Sequence, residues 1–121
     1  MKVKINTKEK FHVITPEEPI LSANMTEDIK QTLLSYLDNS VKNIILNFEN
    51  VHKIDENVAS ELVAIQDTFY NANCSMVVCN LSPEIESFLD EKQFLEFMNT
   101  TSTESEAWDI VQMEEIERDL F

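Results

Sequence analysis

The sequence predicts a single α/β domain with a mixed central sheet of about four to five strands and about four helices. Three observations lead there. Short apolar runs at 43–48 and 75–79 suit fully covered strands, and they flank a segment whose apolar residues recur at helical spacing, the pattern of a right-handed crossover with parallel strands. The N-terminal residues instead alternate apolar with polar, as an antiparallel hairpin does. A chain of 121 residues, 43% of them hydrophobic, can fill one core but would build two thinly.

In chain order, Val3 and Ile5 share one face of a first strand, and Phe11 and Val13 one face of a second, with the turn near Thr7 to Glu9. His12, on the face opposite Phe11 and Val13, reads as a solvent-exposed strand residue. Pro16 and Pro19 interrupt regular structure before a short strand at Ile20–Leu21. Asn24 or Thr26 can accept from the free N–H groups of a first helix, and Glu27 and Asp28 suit its positive end. Ile29, Leu33 and Leu37 form its buried stripe, and it ends near residues 38–40.

The central strand, Asn43 to Phe48, leads through a short extended piece at Val51 to Ile54 into Asp55, which can cap a helix from about Glu56 to Asn71. Val58, Leu62, Ile65 and Phe69 mark the inward face of that helix. After the strand at 75–79, Ser82, Pro83 and Glu84 read as N-cap, first helical residue and favourable acid, with Ile85, Phe88 and Leu89 forming an apolar stripe. Phe94 to Met98 lead into a last short strand. Thr103 and Glu106 fit a capping box for a final helix that lays Trp108 and Val111 on the sheet. One domain spans 1–121, with 114–121 extending beyond the core as a tail. The chain has no glycine, so positive φ is expected at Asn39, Asn50, Asn71 or Asn73, and no glycine-rich phosphate cradle exists.

Charge narrows the function. Nine basic residues against 23 acidic ones leave a net charge of −14, which would repel nucleic acid and anionic lipid and suits a basic protein surface. No apolar run approaches the roughly 18 residues that a spanning helix needs, and no signal-peptide core follows Met1, so a cytoplasmic place is expected. Cys74 and Cys79 lie five apart, neither a redox pair nor a zinc ligand set, and read as reduced thiols. Glu114, Glu115 and Glu117 lack the spacing of a calcium loop and read as a solvated helix face. No metal or cofactor is implied. His52 lies three residues before Asp55, but no Ser or Cys partner is marked for a nucleophilic site. The pair Asp55 and Glu56 could do acid–base work only if their environments separated their pKa values, and capping already accounts for Asp55.

The order hairpin, helix, strand, helix, strand, helix, short strand, helix resembles the STAS family, named for sulfate transporters and anti-sigma factor antagonists. Asn43 to Phe48 followed by Val51-His52-Lys53-Ile54-Asp55 looks like the family's central strand leading to the aspartate that opens its second helix. Ser75 to Leu81 and Thr103 with Glu106-Ala107 are similar to its later strand and final helix start. The resemblance implies the SpoIIAA-like fold and, in bacterial signalling and transcription regulation, a non-catalytic module that binds a protein partner such as an anti-sigma factor-like kinase. In that family a hydroxyl residue soon after the aspartate is phosphorylated as a switch. Here Glu56 and Asn57 stand where the hydroxyls would be, so the usual position, Asn57, cannot be phosphorylated, and Glu56 is a poor mimic of a phosphate's roughly two charges.

The expected docking surface is Asp55, Glu56 and Asn57 with the outward residues Ser60 and Glu61. An alternative is a constitutive subunit of a larger complex such as a transporter. A small hydrolase using Asp55 and His52 is the contrasting class. Self-association through the exposed strand edge, or through Leu120 and Phe121, is a further option.

Overall fold

Alternation in the first sixteen residues builds a hairpin. In the computed structural model, which describes residues 1–120, β1 (Val3–Thr7) and β2 (Phe11–Pro16) pair antiparallel, with Ile5 opposite Ile14 and Asn6 opposite Val13. The covered runs become β4 (Asn43–Asn47) and β6 (Met76–Cys79), parallel to each other and joined by α2 (Glu56–Asn71). β2 also runs parallel to β4, and β7 (Thr100–Thr101) is parallel to β6, giving the mixed five-stranded order β1-β2-β4-β6-β7. A separate two-stranded parallel sheet pairs β3 (Ile20–Leu21) with β5 (Lys53–Ile54). The last strand thus lies beyond the Phe94 to Met98 stretch, whose Leu95–Phe97 form a 3-10 turn.

Side chains of alternate parity divide the core between the two faces of the sheet. On one face, Ile14, Ile44, Leu46, Met76 and Val78 meet α1 (Thr26–Leu34), α2 and α3 (Pro83–Glu91), with Leu33, Phe69 and Leu89 fully buried. On the other, Phe11, Val13, Ile45, Val77 and Cys79 are covered by Ala107 and Val111 of α4 (Glu104–Leu120), with Trp108 and Ile110 alongside.

Several local expectations are corrected. His12 is 7% exposed, because the connection after α1 covers that face. Its Nε2 meets the Val41 carbonyl at 2.9 Å, its Nδ1 the Thr7 hydroxyl at 2.9 Å, and its ring lies 4.8 Å from Tyr36. Neither Asn24 nor Thr26 caps α1. A 3-10 turn at Ala23–Met25 precedes that helix, and the Thr26 hydroxyl donates back to the Ala23 carbonyl. Positive φ falls on Asn73, as one of the expected sites, but otherwise on Asn80 and Gln93. Thr103 accepts from the Glu106 N–H at 3.2 Å, yet the Glu106 carboxylate takes the Thr103 hydroxyl rather than the backbone N–H of a full capping box.

The stretch expected to leave the core as a tail continues α4 as far as Leu120, with Phe121 outside the described residues. Glu114 accepts from the Tyr70 hydroxyl at 2.7 Å, and Glu115 accepts from the Asn43 amide at 2.7 Å. Arg118 donates to Ser75 Oγ and to Glu115. At the other end Glu104 accepts from the Asn47 amide at 3.1 Å. Glu104 and Glu115 are about 16 Å apart along a helix, close to the roughly 13 Å from Asn47 to Asn43 along a strand, so α4 lies antiparallel to β4 and is held at both ends.

Cys79 is sealed beneath α4. Burial, with Glu104 and Glu49 nearby, pushes its thiol up from 9.0 to about 12. The unfolded chain therefore loses this proton first, so the associated stability is intact below pH 9 and is lost as pH climbs from 9 towards 12, at about 1.4 kcal/mol per pH unit. In urea unfolding at about pH 8 and about pH 10.5, Cys79→Ala is expected to lose about 2 kcal/mol less than wild type over that interval. Parallel losses in the two proteins would contradict a buried, hard-to-ionise thiol.

Candidate protein-docking site

The start of α2 is positioned by the small sheet before it. The His52 and Lys53 N–H groups donate to the Pro19 carbonyl at 2.7 and 3.2 Å, and the Asp55 N–H donates to Leu21 at 2.9 Å. Those bonds set Asp55 in an extended conformation, φ −79° and ψ 150°, suited to an N-cap. Its Oδ1 accepts from the Asn57 N–H at 2.8 Å, while its carbonyl accepts the Ala59 N–H at 3.0 Å, the first intrahelical bond. Val58 and Ala59 are buried, so the first turn is anchored from inside.

What this leaves outward is mostly the predicted set. Glu56, Asn57 and Ser60 are exposed, and Asp55 is half-buried as the cap. Glu61 is also half-buried and turns towards α1, where Lys30 Nζ lies 3.9 Å from its carboxylate. A partly exposed pair of that length is worth about 0–1 kcal/mol, so Glu61 is loosely held. His52 is exposed, with its backbone rather than its ring tied to Pro19. Glu56 places a fixed negative charge where the helix dipole is positive, which stabilises the first turn by about 0.3–1 kcal/mol.

Sequence reasoning missed the ground beside these residues. Ile20, Lys53, Phe88 and Lys92 join Asp55 and Glu56 around an open groove of about 430 Å³. Ile20 is 53% exposed because Leu21, its neighbour in the strand, takes the core side. Phe88 had been expected in the buried stripe of α3 but is only half-buried, with Ile85 and Leu89 carrying the packing. The groove combines an apolar floor with charges of both signs. The one available signal was Ile20 itself, a large apolar residue in a two-residue strand with room for only one inward side chain.

The STAS domain profile matches residues 2–107. A candidate anti-sigma factor antagonist from Thermotoga maritima has the same fold, with a TM-score of 0.81 at 16% identity over 91% of this chain and 94% of its own. An anti-sigma-factor antagonist (STAS) domain protein from Planctomyces limnophilus gives 0.74 at 16% identity, over 91% and 97%. The murine solute carrier 26 family member A9 anion transporter, inward-facing, is similar over 86% of this chain but only 18% of its own, with a TM-score of 0.69 at 16% identity. At such identities the likeness is one of fold. No curated protein sequence matches the chain.

Proposed function

The chain belongs to the STAS domain family, and from that premise we propose that it is a non-catalytic interaction module that docks a regulatory protein through the N-terminus of α2. The observation that carries this reading is the exposure of Glu56, Asn57 and Ser60 on a first turn fixed by the Asp55 cap and by buried Val58 and Ala59. A rigid, exposed helix start binds without an ordering cost, and the groove beside it offers an apolar anchor point. The partner is of the anti-sigma factor kind, met in the cytoplasm. Docking there is not switched by phosphate, because Asn57 carries an amide where a hydroxyl would be needed and Glu56 supplies a constant charge.

A second reading makes the chain a constitutive subunit of a larger assembly such as a transporter. The missing hydroxyl and the similarity to a segment of an anion transporter favour it. Both readings use the same surface and differ in the identity of the partner. Among the described residues no helix is long and apolar enough to cross a membrane.

Affinity purification of the tagged chain from its own host, beside a Glu56→Lys, Asn57→Arg double variant, tests the surface. The cap uses the backbone N–H of residue 57, so the substitution leaves it in place. Lys at 56 costs about 0.3–1 kcal/mol against the helix dipole, which a thermal melt will register without loss of fold. Affinity for the partner is expected to fall at least tenfold, about 1.4 kcal/mol. Equal retention by both proteins would move the interface away from α2. Recovery of a kinase or of a membrane protein separates the two readings.

A further inference from the structure

Helix α4 presents two faces of opposite chemistry. Inward, Ala107 and Val111 are buried against the sheet, and Glu114, Glu115 and Arg118 are engaged with Tyr70, Asn43 and Ser75. Outward, Met113, Ile116 and Leu120 are 48%, 61% and 72% exposed. Spacings of three and four residues align these three side chains in one stripe. Helical geometry sets Glu106 and Glu117 along one border of that stripe and Gln112 and Asp119 along the other, with Asp109 one turn before Met113, and all of these are exposed. The helix has one basic side chain, Arg118, and it is spent on the inner face.

We propose that the outward face of α4 docks into an apolar groove bordered by Lys and Arg side chains on a partner protein. Charge complementarity selects that occupant. A second copy packed α4 against α4 would set carboxylates against carboxylates across the contact, and an anionic membrane surface would meet the same repulsion. A basic-rimmed groove accepts the stripe and pairs both acidic borders. The helix is already formed and held at both ends, so it can enter such a groove with its anchors in place. The stripe lies beyond residue 107, where the family match ends, and on a different element from the start of α2. This surface therefore goes beyond the α2 reading and stands or falls independently of it.

The test places a photo-crosslinking phenylalanine at Gln112 of the full chain, expressed in its own host, and identifies the crosslinked peptide by mass spectrometry. The captured protein is then purified and titrated with the chain. Supporting results are a crosslinked peptide in which Lys or Arg flank apolar residues, and affinity that falls at least tenfold for a Met113→Ser, Ile116→Ser, Leu120→Ser variant. Affinity is likewise expected to fall for Asp109→Lys with Glu117→Lys and when salt is raised. An unchanged Trp108 emission spectrum shows that α4 is still seated in each variant. Crosslinking to another copy of this chain, to lipid, to an acidic or wholly polar peptide, or to nothing above the unirradiated control would overturn the proposal, as would full affinity in the stripe variant.

Discussion

Replacing Val111 with aspartate is expected to detach α4 from the sheet and to lower stability by about 3 kcal/mol or more. Val111 is fully buried among Phe11, Val13, Ile45, Val77 and Ala107, an environment that offers a carboxylate no hydrogen-bond donor among those side chains. The charged group must either be neutralised at a large pKa cost or be carried into water, and carrying it out means unseating the helix. Cys79 reports the difference. It lies at 0% exposure beneath α4, so in a Cys74→Ala background its reaction with a thiol reagent requires the helix to move. The variant should label Cys79 at least tenfold faster than its parent. Its Trp108 emission should shift to the red as the ring leaves Phe11, which lies 5.2 Å away. Core residues on the opposite face, Phe69 and Leu89 among them, do not depend on α4, so most of the far-ultraviolet signal should persist. An unchanged urea midpoint together with a protected thiol would mean that this second core contributes little.

Local chemistry explains what could be read in advance. α2 begins after Asp55 and ends at Asn71 because the cap is a one-residue device and the inward stripe of Val58, Leu62, Ile65 and Phe69 needs only helical spacing. Ser82 and Pro83 open α3 for the same reason, with Ser82 accepting from the Ile85 N–H at 3.2 Å. Exposure of Glu56, Asn57 and Ser60 followed once the inward face of α2 was known. His12 misled because strand alternation tells which face a residue takes but not what covers that face, and here Tyr36 and the Val41 carbonyl arrive from the α1 connection. The groove beside Asp55 was hidden for a similar reason. It is assembled from residues near 20, 53 and 88–92, and only the parallel pairing of β3 with β5 brings the first two together. The last turns of α4 were expected to leave the core as a tail, because apolar spacing does not reveal the contacts that seat them, which are polar and reach residues as distant as Asn43.

That asparagine carries the second large effect. Asn43→Leu is expected to cost about 3 kcal/mol, although the replacement is apolar and similar in size at a site that is 4% exposed. The Asn43 side-chain oxygen accepts from the Ser75 N–H at 2.7 Å, and its amide donates to the Lys10 carbonyl at 2.9 Å and to Glu115 at 2.7 Å. One side chain therefore ties the residue before β2, the start of β4, the residue before β6 and the last turns of α4. Leucine can neither donate nor accept, and it leaves the N–H of Ser75, a residue at 0% exposure, without its partner. Aspartate would keep the acceptor for Ser75 but set a second carboxylate against Glu115, so Asn43→Asp should also be destabilised near neutral pH. Hydrogen exchange distinguishes a local pin from a general loss of stability. In Asn43→Leu the Ser75 amide and the turns around Glu115 should exchange faster than in wild type. The turn around Glu104, held by Asn47 at the other end of β4, should change far less. Equal acceleration along the whole of α4 would mean that the helix is held by its apolar face alone and that the Asn43 contact is a passenger.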